Sequence, residues 1–367
     1  MATRLGIAPR MQLPYARRLL AAAALLLPFG SAAAQDSPAS FHPCTNLPHA
    51  DHPLARLRSG PMAAVVFLPD AHTGYYRGSR FDWSGLVGCL SLNGHTFFGE
   101  WFNRYDPEIS DAVTGPAEEF RHPTSELGYD AAAPTAPGET GGGFLKIGVG
   151  VLRRVDAKPY SFGGAYPILD GGTWTVKARK DSVTFRQVLR SDLGYAYVYE
   201  KVLRLDGRTR QLTLTHSLRN TGKQPLDTAV YNHDFFMLDG APTGPGMELH
   251  LPFVPVPDKP LPAAAEIDGT TIRVTAPLEP RRGLGAYITG FDPAKVSDFD
   301  FTFEDKAHGL SVRETADAPL TKMYLWATPK TFCPEGYIAI HVAPGAEQHW
   351  TLHYTFIAPG PGSTPAA

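Results

Sequence analysis

Gln211-Leu-Thr-Leu-Thr-His-Ser-Leu-Arg219, then Asn220-Thr-Gly222, then a second run from Pro225 that closes as Tyr231-Asn-His-Asp-Phe-Phe236, is the stretch that decides the fold. Apolar and polar residues alternate through the first run, which is the period of a strand with one buried face. Asn-Thr-Gly is turn chemistry, and the chain rises again to Tyr231. His233 therefore falls where a strand meets a cleft, in a setting of aromatic and apolar residues. An imidazole there is either a core histidine satisfied by its neighbours or a group held for chemistry.

Working outward, the same style continues on both sides. Strand-like runs cover Ala63 to Leu68, Leu86 to Leu92, Phe144 to Val155, Thr173 to Ala178, Ser182 to Leu189 and Ala196 to Leu205. Beyond the central stretch they resume at Met247 to Val254, Thr270 to Ala276, Asp298 to Glu304 and Leu310 to Glu314, then Met323 to Thr328, Tyr337 to Val342 and His349 to Phe356. Spacing of roughly 8 to 12 residues between turn signals predicts an all-β chain, a large antiparallel β-sandwich in one domain. Asn93-Gly94 is a hairpin signal. The 36 Gly, 34 Pro and 11% aromatic residues fit many turns around a sizeable core.

The predicted organisation is a secretory signal over 1–34, an irregular segment over 35–60, the sandwich over 61–357 and a flexible tail over 358–367. The signal rests on Arg17-Arg18, the apolar run Leu19 to Pro28 and the small-residue stretch Ala32-Ala-Ala34 before Gln35. That reading makes the protein periplasmic or secreted, cleaved after Ala34. No stretch reaches the roughly 20 apolar residues of a membrane helix. A net charge of -2 offers no basic surface for nucleic acid, so a small or uncharged partner is expected. Three cysteines allow one disulfide; Cys44 with Cys89 would tie down the start of the domain.

Four clusters could carry chemistry. Arg77, Arg80, Asp82 and Trp83 sit in an early aromatic loop, where a guanidinium beside an indole suits sugar hydroxyls and a sugar's C–H face. Trp101-Phe-Asn103-Arg104-Tyr-Asp106 is similar in composition. Glu118 and Glu119 fall in the Gly/Pro-rich, aperiodic stretch from Pro107 to Gly143, either binding hydroxyls or merely solvated. Glu335, in Cys333-Pro-Glu-Gly-Tyr-Ile-Ala-Ile-His341, precedes a β-branched strand, where partial burial would raise its pKa toward that of a general base. His233 and His341 with two carboxylates could ligate a metal, but no spacing is diagnostic, and neither metal nor cofactor is expected. No G-x-S-x-G elbow, P-loop or dinucleotide fingerprint is present, which disfavours serine hydrolysis, nucleotide chemistry and hydride transfer.

Together, Leu212 to Leu226 and Tyr231-Asn-His-Asp-Phe-Phe236 resemble the centre of aldose 1-epimerases and the wider galactose-mutarotase-like superfamily. The resemblance implies that family's supersandwich fold, with His233 as catalytic acid and, from Pro334-Glu335 and the strand after it, Glu335 as catalytic base. Ser79-Arg-Phe81 ahead of Leu92-Asn-Gly-His95 resembles the family's substrate-binding arginine motif, implying that role for Arg80, with Asn103-Arg104 as the rival. Trp83, Glu118, Glu119 and Asp234 complete the expected sugar-binding set. Where the family carries a His-Leu-His-Gly-Gly motif, this chain reads Gly115-Pro-Ala-Glu-Glu-Phe120. The implied activity is cofactor-free interconversion of sugar anomers; the alternatives are a non-catalytic carbohydrate-binding protein and a polysaccharide lyase or glycoside-cleaving enzyme on the same fold.

Overall fold

In the computed structural model, which describes residues 43–280 and 283–360, Gln211–Asn220 is an inner strand of a ten-stranded antiparallel sheet. Leu212, Leu214, His216 and Leu218 point inward from it, as the alternation predicts. Its neighbours are Ala196–Asp206 and Glu347–Ile357. The Asn220 side chain builds the turn that follows: its Oδ1 accepts from the Gly222 N–H at 2.9 Å, and its Nδ2 donates to the carbonyls of Gln224 and Val342, each at 2.8 Å. This turn carries the chain out of one sheet into another. Leu226–His233 belongs to a second, six-stranded sheet, ordered Val256–Pro257, Leu284–Thr289, Lys322–Thr328, Thr331–Val342, Leu226–His233 and Ala117–Phe120.

Side chains of both sheets interleave in one core, with Leu214, Trp350 and Phe356 from the first and Val230, Leu325 and Ile340 from the second. Two sheets with an apolar face each can bury them only against one another. Emptying such a site, as in Leu214→Ala, costs about 2–5 kcal/mol. Smaller sheets of four and three strands flank the sandwich among the described residues, and all of these residues fall in one compact unit. The all-β sandwich expected from spacing and composition is what the structure contains. No described helix is long and apolar enough to cross a membrane.

Local expectations fare unevenly. The Asn93-Gly94 hairpin is present, with Leu92 opposite His95 and φ of 55° and 96° at the two turn residues, the left-handed pair that a two-residue hairpin needs. Cys44 and Cys89 are joined, and Cys333 is a buried free thiol. The segment expected to be irregular over 35–60 contains the strand Leu54–Ser59, paired with Met62–Phe67. Its own alternation, Ala55 and Leu57 inward and Arg56 outward, is hidden in the sequence by Pro- and His-rich flanks. Phe144 to Val155 is not one strand but a hairpin, Gly143–Lys146 with Gly150–Arg153. Gly148 turns it at φ 80°, where an added Cβ would lie 2.7 Å from the Asp82 side chain. The Pro107–Gly143 stretch, expected as loop, supplies the edge strand Ala117–Phe120. The expected signal segment and residues 361–367 of the expected tail lie outside the described residues, whereas Ala358 is packed into the core.

Candidate functional site

The outward face of the six-stranded sheet builds the site by simple register. Antiparallel pairing sets Tyr231 opposite Tyr337 and Glu119, Tyr337 opposite Lys322, and Glu335 opposite Tyr324, which in turn faces Tyr287. Side chains alternate across a strand, so residues two apart share this face. One step along from the Tyr231–Tyr337 pair stand His233 and Glu335, with His233 Nε2 3.3 Å from Glu335 Oε1. Both are nearly buried, at 6% and 5% side-chain exposure.

They form the floor of a cavity of about 360 Å³ whose walls include Arg80, Trp101, Tyr231, Tyr324, Trp326 and Tyr337. Phe235 stacks flat on the His233 ring at 3.8 Å, and Trp326 meets it edge-on at 5.0 Å. Phe235 is held at φ 48°, an uncommon conformation for an aromatic residue, with its N–H on Cys333 Sγ at 3.2 Å. Gly115 passes directly beneath, where a Cβ would lie 1.7 Å from the Asp234 carbonyl oxygen, so no side chain fits there. His233 Nδ1 has no hydrogen-bond partner among the described residues.

Burial dominates the electrostatics. It pulls the His233 imidazole well below its ordinary value, and nearby Arg80 adds to the effect. It pushes Glu335 well above the ordinary carboxylate value against the opposing attraction of Arg80. Both shifts disfavour the charged forms, the imidazolium of His233 and the carboxylate of Glu335, because each would lose hydration inside an aromatic pocket.

Arg80 is fixed from behind. Its Nε donates to Glu119 Oε2 at 2.8 Å and one Nη to the Tyr231 hydroxyl at 3.0 Å, and Asp111 takes the other Nη. Glu119 also accepts from Lys146 Nζ at 2.9 Å and from the Tyr231 hydroxyl at 2.6 Å. Burial works against the Glu119 carboxylate, but Lys146 and Arg80 overcome it and hold the group well below its ordinary value.

The architecture matches solved proteins closely enough to name it. A candidate aldose 1-epimerase from Escherichia coli K12 aligns with a TM-score of 0.52 and 12% identity, covering 83% of this chain and 99% of its own. A galactose mutarotase-like protein from Clostridium acetobutylicum gives 0.51 and 12% over 86% and 98%, and galactose 1-epimerase from Lactobacillus acidophilus NCFM gives 0.50 and 13% over 83% and 95%. This chain has the galactose-mutarotase-like fold. No family model and no curated protein matches the sequence.

Within the galactose-mutarotase-like fold, three residues singled out from sequence converge on one cavity: His233, Glu335 and Arg80. Glu119 stands just behind them and is buried, not solvated. Glu118, its neighbour on the strand, points the other way into the sandwich, onto His216 at 2.9 Å and Lys201 at 2.5 Å, and these two partners bring its carboxyl down to about 2 despite burial. Asp234 also faces the interior, accepting from the Tyr354 hydroxyl at 2.9 Å. Trp83 is buried with its Nε1 on the Gly78 carbonyl at 2.9 Å and lines a different cavity. Asn103 accepts from Lys330 at 2.7 Å and Arg104 is 80% exposed, both away from the His233 cavity. Alternation explains Glu118, since adjacent residues on a strand cannot share a face, and Asp234 follows His233 directly at the strand end; Trp83, Asn103 and Arg104 lie in loops that lead elsewhere.

Trp101, from the second candidate cluster, does reach the cavity wall, whereas Tyr231, Tyr324, Trp326 and Tyr337 were not singled out as wall residues. Their signal was available, since Tyr324 and Trp326 occupy alternate positions opposite the apolar Met323 and Leu325. Among the described residues, Glu248, His250 and Glu304 are grouped closely enough to hold a metal ion. They lie on the ten-stranded sheet, and Glu248 is already paired with Lys306 at 2.7 Å and Arg273 at 3.1 Å.

Proposed function

We propose that this protein is a sugar-active enzyme that interconverts aldose anomers by proton transfer at His233 and Glu335. The observation that carries the reading is the cross-strand His233–Glu335 pair, 3.3 Å apart on the floor of an aromatic cavity. Aromatic walls suit the C–H faces of a sugar, and Arg80, oriented by Glu119, suits its hydroxyls. Anomer interconversion needs one base for the anomeric hydroxyl and one acid for the ring oxygen.

The directions in which burial moves the two groups favour a division of labour opposite to the one the family resemblance implies. Neutral His233 accepts the anomeric proton while the Glu335 carboxyl gives its proton to the ring oxygen. The ring C–O bond opens to the aldehyde, and the carbonyl carbon rotates. Closure then reverses both transfers on the other face, so protons and charge balance over the cycle. Galactose is the first substrate to try, and the expected signal segment together with the Cys44–Cys89 disulfide supports export to an oxidising compartment.

The test is anomer exchange of galactose and glucose followed by NMR. His233→Asn and Glu335→Gln should each lower the rate by about 10²–10⁴. The profile should fall in acid as His233 gains a proton and in alkali as Glu335 loses one. Full activity in both variants would end this reading. A second reading, a carbohydrate-binding protein without catalysis, is favoured by Gly115-Pro-Ala-Glu-Glu-Phe120 reading in place of the family's histidine motif. Sugar binding with no acceleration of exchange would select it.

A further inference from the structure

The His233 cavity does not stand alone on its sheet. A second cavity of about 570 Å³ shares Tyr324 and Trp326 with it on one side. A third, of about 410 Å³, shares Arg121 and Tyr337 with it on the other. The three follow one another across the outward face, from the Leu284–Thr289 strand to the Leu226–His233 strand, separated only by aromatic side chains and one guanidinium. Each falls in the range of about 300–1,000 Å³ that a small ligand fills. A single sugar unit on His233 and Glu335 would occupy the central one and leave both neighbours open.

The third cavity carries two cations that no carboxylate meets directly, although Arg121 feels the buried Glu119 and Glu126 and Lys322 feels Glu335 at longer range. Arg121 and Lys322 both line it. Neither side chain makes an ion pair or a hydrogen bond to another described residue. The Arg121 guanidinium lies 5.4 Å from the centre of the Phe162 ring, and Lys322 Nζ lies 4.5 Å and 4.7 Å from those of Tyr287 and Tyr337. The carboxylate in the same cavity, Asp227, is committed to His341 at 2.5 Å. Other cations near the site are answered: Arg80 by Glu119 and Asp111, Lys146 by Glu119 and Glu126. Two partly covered cations over aromatic rings, beside a sugar-sized cavity, are complementary to an anionic group on the ligand.

We infer that the ligand is an acidic oligosaccharide lying across the sheet face, with one unit at His233 and Glu335 and the carboxylate of a neighbouring unit held between Arg121 and Lys322. This deepens the proposed function and rests on its reading of the central cavity as a sugar site. A phosphate or sulfate ester would present the same charge, so the test separates these sources.

Binding is measured calorimetrically on the full chain with trigalacturonate, its fully methyl-esterified form, galacturonate and glucose 6-phosphate. Trigalacturonate should bind at least about tenfold more tightly than the neutral ester, since a charge-assisted contact of this kind is worth about one decade. In an Arg121→Gln/Lys322→Gln variant that difference should shrink to less than about threefold, whereas Arg104→Gln, a charge removed away from the cavities, should leave it intact. Equal binding of acid and ester overturns the charge assignment. Galacturonate or glucose 6-phosphate binding as tightly as trigalacturonate overturns the extended site. Either result, with galactose anomer exchange still lost in His233→Asn, refutes this inference and leaves the function proposed for the pair standing.

Discussion

Glu119→Gln is the sharpest test of how the site is held, because it keeps the shape of a fully buried side chain and removes its charge. The wild-type carboxylate meets Arg80 at 2.8 Å, Lys146 at 2.9 Å and the Tyr231 hydroxyl at 2.6 Å. Lys146 retains Glu126 at 3.3 Å, a carboxyl that burial, with help from the Glu119 charge, pushes up to about 7, so Glu126 replaces only part of the lost counter-charge. The variant thus leaves two buried cations under-compensated, and breaking a buried pair in this way costs about 3–5 kcal/mol. Urea unfolding at pH 7, followed by circular dichroism, measures the loss. The pH dependence follows from the direction of the shift. Glu119 is held below its unfolded value near 4.5, so its stabilisation is complete above that value and declines as pH falls beneath it. The gap between variant and wild type should therefore narrow in acid. Lys146→Met should cost less in the Glu119→Gln background than alone, with a coupling of about 0.5–3 kcal/mol. A loss below about 1 kcal/mol at pH 7, or a gap that widens in acid, would refute the account of Glu119 as the anchor of Arg80.

Other expectations follow from the same geometry. Glu314, 3.1 Å from the Tyr354 hydroxyl that it shares with Asp234, is pushed up to about 8 by burial. Its contribution to stability should therefore fall as pH rises from about 4.5 through 8, at up to about 1.4 kcal/mol per unit, and Glu314→Gln should remove that part of the slope in a pH series of urea midpoints. Trp326→Ala removes a shared wall of two cavities, so it should weaken sugar binding by about 1–3 kcal/mol in calorimetry while the unfolding transition stays cooperative. Replacing Cys44 and Cys89 by Ser opens a loop of sequence separation 45. On the chain-entropy model this costs about 4 kcal/mol, read as a lower urea midpoint that reductant reproduces in the wild type.

The sequence by itself determined the fold class, because a two-residue period and turn chemistry are local properties that survive without knowledge of neighbours. It also placed His233, Glu335 and Arg80 as candidates, since a titratable residue at the end of an apolar run is conspicuous in one dimension. It misjudged Glu118 and Glu119, because Ala117–Phe120 carries no periodic signal and becomes a strand only when the Leu226–His233 edge offers it hydrogen bonds. It could not tell which of two adjacent carboxylates faces the cleft, and the pleat decided that, sending Glu119 to Arg80 and Glu118 to His216. The tertiary structure alone decided the pairing of positions 233 and 335, about one hundred residues apart, through strand register, and with it the aromatic wall. It also decided the direction in which both pKa values move, which depends on how much water the closed cavity excludes, a quantity no local stretch of sequence contains.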